Sequence, residues 1–133
     1  MHAALSCQLV IADHVSFNEE ARCQFIENVR NSVQVNVYPS VVKLSAWIKI
    51  WMRQEIEDAI CMRVVDPRGK VLWTHELDGI VNRRPDVMPK GMDSARQIKI
   101  VADRAGVYTV ELTDKESRVL AFYPLYISKE RPA

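Results

Sequence analysis

The sequence predicts an all-β protein, a single β-sandwich of about seven to eight mostly antiparallel strands spanning residues 1–133, with at most one short helix. Three observations predict it. The stretch KLSAWIKIWMR, Lys43 to Arg53, alternates Leu44, Ala46, Ile48, Ile50 and Met52 with Ser45, Trp47, Lys49, Trp51 and Arg53, and strict period two belongs to a half-buried strand. Asp66-Pro67-Arg68-Gly69 separates two apolar, β-rich segments. Proline suits the second position of a type I turn, and the glycine after it can take the left-handed conformation that closes a short hairpin. Turn signals of this kind recur about every ten to fifteen residues, the spacing of a sandwich.

Taken in order, ALSCQLVIA alternates Leu5, Cys7, Leu9 and Ile11 and reads as the first strand. The next segment is ambiguous. Ser16 and Glu19 have capping-box spacing, and Ala21, Phe25, Ile26 and Val29 fall on one helical face, so residues 17–30 could form the one helix. The valine and asparagine of VRNSVQVNVYPSVV oppose that and favour strand and turn, with a strand from Arg22 to Val29. After the strand at Lys43 and the hairpin around Pro67 comes DGIVNRRPDVMPKGMD, Asp78 to Asp93, whose prolines, glycines and mixed charges mark a long connecting loop. SARQIKIVAD alternates around Ile98 and Ile100. GVYTVELTDKESRVLAFYPLYI then forms a second hairpin, with Tyr108, Val110 and Leu112 on one face and a turn from Asp114 to Ser117.

Composition narrows the function classes. Apolar residues make up 48% and charged residues 26%, the balance of a folded soluble protein, and a net charge of +1 gives no whole-molecule field for nucleic acid or an anionic membrane. The first residues lack the basic region of a signal peptide, and no apolar run approaches the roughly 20 residues that span a bilayer, so a cytoplasmic location is expected. Cys7, Cys23 and Cys61 are odd in number and widely spaced, which suggests neither a disulfide framework nor a zinc knuckle.

Three stretches, LVIADHVSFNEEARCQFIENV, VVDPRGKVL and AGVYTVELTDKESRVLAFYPLYI, resemble in that order a family of uncharacterised bacterial single-domain proteins known only as a domain of unknown function. The resemblance implies a β-sandwich whose first strand ends in an alanine-aspartate pair. It also places Ser16 to Glu20 in the turn before the second strand. The family commonly has a glycine where this chain has Glu27-Asn28, and it implies no activity. DRAGVYTVEL is more distantly similar to immunoglobulin-like sandwiches, in which a tyrosine hydroxyl ties down the preceding loop. That similarity makes Tyr108 a structural anchor, although Asp103 lies one residue further away than in those domains.

Little else in the chain carries chemistry. Asp13, His14, Glu19 and Glu20 are acceptable metal ligands, and His75-Glu76 could join them, giving a metal-dependent enzyme or sensor around Asp13, His14 and His75 as one alternative. Strand alternation sends Asp13 and His14 to opposite faces, which weighs against it. No GxSxG elbow is present, and four glycines cannot form a phosphate cradle, so no catalytic residue, cofactor or metal is expected. Arg83, Arg84 and Lys90 could contact phosphates, a second alternative, but Asp78, Asp86 and Asp93 dilute their field and make nucleic acid an unexpected partner.

The strongest functional signal is on the strand already described. If its even-numbered residues face the core, Trp47, Lys49, Trp51 and Arg53 project from the outer face, and tryptophan and arginine are enriched at binding hot spots. The competing reading is that a loop such as Ile80 to Met92 covers the two rings. The sequence therefore points to a non-catalytic binding or assembly module with a protein partner, self-association being its simplest form.

Overall fold

A computed structural model of the chain describes residues 5–53 and 58–130. Among them are nine strands and no helix: β1 (Leu5–Asn18), β2 (Cys23–Val29), β3 (Ser32–Val35), β4 (Ser40–Met52), β5 (Asp58–Val65), β6 (Val71–Ile80), β7 (Gly91–Ala102), β8 (Gly106–Thr113) and β9 (Val119–Lys129). They form a four-stranded sheet in the order β2-β1-β4-β7 and a five-stranded sheet in the order β3-β9-β8-β5-β6. Every pairing is antiparallel except that of β3 with β9. The all-β sandwich is thus the architecture the alternation implies.

The core lies between the sheets and is built from alternate residues of each strand. Leu44, Ala46, Ile48, Ile50 and Met52 of β4 are all buried, as are Leu9 and Ile11 of β1 and Ile98 and Ile100 of β7. Opposite them lie Met62, Val64, Leu77, Val110, Leu112, Leu125 and Ile127. Each such Leu, Ile, Val or Met side chain contributes about 1.5–3 kcal/mol by leaving water, which is why the alternation survives into the fold.

Three sequence expectations need correction, and one open choice is settled. The strands number nine rather than seven or eight, because the short β3 pairs in parallel with β9 through Ser32 to Val35, contacts no local pattern encodes. The strand favoured at Arg22 to Val29 over a helix is present as β2, which pairs with β1 along its length. The first turn lies at residues 19–22 rather than at Ser16 to Glu20. Pairing continues through Ser16 with Phe25 and Asn18 with Cys23, and the Asn18 side chain then accepts the Ala21 N–H. The long loop is shorter than Asp78 to Asp93, because β6 runs to Ile80 and β7 starts at Gly91.

The β5–β6 and β8–β9 turns share one device. Asp66 accepts the N–H groups of Arg68 and Lys70 on Oδ1 and the Arg68 guanidinium on Oδ2; Asp114 does the same for Glu116, Arg118 and the Arg118 guanidinium. Gly69 takes φ +88° as the turn chemistry requires, and Ser117 takes φ +64° at the equivalent position. Burial opposes ionisation of both aspartates, but the backbone and arginine donors outweigh it and hold both carboxyls below their ordinary range.

Tyr108 is fully buried and its hydroxyl donates to the Arg104 carbonyl at 2.8 Å, so the tyrosine anchors the β7–β8 loop. Beside it Pro67 packs so closely on Gly106 that a Cβ there would lie 2.6 Å from the proline ring. Asp103 serves a different purpose, pairing with Arg68 from the β5–β6 turn at 3.2 Å. On β2, Asn28 takes φ +57°, a conformation that asparagine tolerates, within the Glu27-Asn28 pair noted in the sequence.

Candidate functional site

The β4 side chains opposite the core form the outer face of the four-stranded sheet. Trp47 lies between Val10 of β1 and Ala95 of β7, Lys49 between Gln8 and Asp93, and Trp51 between Ser6 and Gly91. Trp47, Lys49 and Trp51 are half-buried and Arg53, just past the strand end, is exposed. The Lys49 ammonium sits between the rings, 5.6 Å from the Trp47 centroid and 5.1 Å from that of Trp51. Both distances are within reach of the attraction between a cation and an aromatic face.

A third cation comes from the 81–90 loop. The Arg84 guanidinium carbon lies 4.1 Å from the Trp51 centroid. Its terminal nitrogens donate to Asp93 at 2.8 Å and to the Ile50 carbonyl at 3.3 Å, and only 9% of the side chain is exposed. The position requires glycine at 91: a Cβ there would fall 2.1 Å from both the guanidinium and the Ile50 carbonyl oxygen. Asn82 shapes the loop, its side-chain oxygen accepting the N–H groups of Arg84 and Gly91. The structure therefore joins the two competing readings of the tryptophans. A loop residue covers Trp51, while Trp47 keeps part of its ring at the surface and its indole N–H buried with no hydrogen-bond partner among the described residues.

The other candidates separate. The Asp13 carboxylate is held by Arg30 at 2.7 and 2.8 Å and by Asn28, and the Arg30 hydrogen bond draws its pKa below the ordinary value. His14 points the other way, opposite Glu27 in β2, while His75 lies in the other sheet, stacked on Trp73 with centroids 5.8 Å apart. Asp13, His14 and His75 are not brought together, and no group of three or more histidine, cysteine or carboxylate side chains suited to a metal occurs among the described residues. His2 lies outside those residues. Burial pushes the Cys7 thiol up to about 12, so that group is not a nucleophile at neutral pH. In the basic loop Arg84 is turned inward, leaving Arg83 and Lys90 at the surface.

Sequence reasoning missed Arg84 as part of the tryptophan face. The only local sign was a basic loop following a strand, and the contact depends on the pairing of β7 with β4.

No family model matches the chain, and no curated protein does. Solved structures similar to it include the CARDB domain of a Pyrococcus furiosus protein in complex with di-metal ions, 12% identical, covering 94% of this chain and 96% of that one with a TM-score of 0.47. A β-glucosidase from Listeria innocua is 7% identical over 93% of this chain, with a TM-score of 0.44. β-Glucosidase 3B from Thermotoga neapolitana is 11% identical over 93%, with a TM-score of 0.42. The chain spans 16% of the length of each glucosidase. None of the three passes an activity to this chain.

Proposed function

We propose that the chain is a non-catalytic, cytoplasmic binding or assembly module that takes a protein partner on the face of Trp47, Lys49, Trp51 and Arg53. One observation carries the reading: two tryptophans stand on the outer side of a sheet, half-buried and held in place by the cations between and beside them. Rings fixed before binding lose little side-chain freedom when a partner arrives, and covering them removes a large apolar area from water.

Light scattering and affinity capture of the wild type and of Trp47→Ala/Trp51→Ala test the reading. The wild type should exceed monomer mass or retain a defined protein in stoichiometric amount, and the double variant should lose that property. The same mass and the same retained protein in both would remove the reading.

A further inference from the structure

The outer face of β4 continues past the tryptophans. In the β4–β7 ladder Trp47 faces Ala95, Ser45 faces Gln97, and Lys43 stands directly opposite Lys99. Like charges at opposed positions of an antiparallel pair lie roughly 5 Å apart at Cβ and destabilise the sheet. Lys43, Lys49 and Lys99 share this face, and none of them makes an ion pair with a carboxylate among the described residues. The acidic groups nearby are already engaged or distant: Asp93 is paired with Arg84, Asp13 with Arg30, and Glu27 lies on β2 across from His14. In a chain whose net charge is only +1, this concentrates uncompensated positive charge along one strand pair. A groove of about 250 Å³ lies beside it, lined by Asp13 and by the 43–45 and 97–99 stretches of β4 and β7, the apolar Leu44 and Ile98 included.

We propose that the partner of this face is an extended acidic polypeptide segment lying along β4 from Lys49 to the Lys43–Lys99 pair, an inference that rests on the binding role given to the tryptophan face. Six residues separate Lys43 from Lys49, about 20 Å of strand, which an extended segment of about the same number of residues matches. Carboxylates at alternate positions of such a segment meet the lysines, and the exposed Gln97 and Gln8 offer hydrogen bonds between them. Carboxylates arriving between Lys43 and Lys99 would offset the repulsion that their opposed positions impose.

Two other occupants fit less well. Single-stranded nucleic acid binds basic aromatic surfaces by stacking bases on free rings, but here Lys49 and Arg84 already lie over Trp51 and Lys49 over Trp47. A second copy docking by the same face would set the three lysines against their own counterparts.

The test is titration of the whole chain with a labelled peptide of alternating glutamate and valine, its glutamine analogue, and an oligothymidine of similar length. The glutamate peptide should bind with an affinity that falls several-fold as salt rises, and the other two should bind at least tenfold more weakly. Lys43→Glu/Lys99→Glu should weaken the glutamate peptide about tenfold or more with an unchanged circular dichroism spectrum, while Lys129→Glu, at the end of β9, should not. Lys99→Ala, which removes the repulsion, should weaken the peptide while raising the denaturation midpoint. Absence of peptide binding, equal binding of the glutamine analogue, preference for oligothymidine, or equal loss in Lys129→Glu would overturn the proposal. If any of these occurs while Trp47→Ala/Trp51→Ala still abolishes an assembly, the acidic partner falls and the tryptophan face stands.

Discussion

The two sides of β4 are made from the same thirteen residues by different physics. On the inner side, six apolar residues are buried among residues of both sheets, and burial there is non-directional: any well-packed aliphatic side chain serves. On the outer side, contacts depend on placement. Lys49 must lie between two rings, Arg84 must reach across from a loop, and Gly91 must leave room for it. One side sets stability and the other, in this account, sets recognition.

The comparison can be broken first on the inner side. Ile48→Ala empties a site with no solvent exposure and should cost about 3 kcal/mol, read as a lower denaturation midpoint, with peptide affinity kept below that midpoint. On the outer side, Arg84→Ala removes the Trp51 cover and leaves Asp93 and the Ile50 carbonyl without their donor. It should cost about 1–2 kcal/mol and shift tryptophan emission to the red.

Acid separates charge-built features from burial. Asp66 and Asp114 have folded pKa values below the ordinary 3.8, so their contribution is fully present above that value and is lost as pH falls through the depressed one. Denaturation midpoints should therefore drop below about pH 4, and Asp66→Asn/Asp114→Asn should flatten that part of the profile. Ile48→Ala should lower the curve without changing its shape. The smallest effect belongs to Lys49→Ala, about 0.5–1 kcal/mol by chemical denaturation, because its two ring contacts are partly in water.

What could be read from the sequence follows the same division. The inner side of β4 was legible because burial imposes period two on consecutive residues. The turn at Asp66 to Gly69 was legible because proline fixes φ and glycine permits a positive φ within four residues, and Tyr108 because its partner, Arg104, is four residues away. The cover of Trp51 by Arg84 and the facing of Lys43 with Lys99 were not legible. Both depend on how β7 pairs with β4, and that register is set by burial across the whole sheet rather than by residues near either lysine. The parallel β3 escaped for a related reason: four residues carry too little pattern, and their partner strand lies about ninety residues further along the chain.

The most direct test follows the rings themselves. In a Trp73→Phe background the emission comes only from Trp47 and Trp51, and its quenching by acrylamide can be measured with and without the glutamate peptide. The account predicts that bound peptide shields Trp47, which lies between Lys43 and Lys49, and lowers the quenching constant, while Trp51 stays under Arg84. Peptide that binds while quenching stays unchanged would place the partner elsewhere and contradict it.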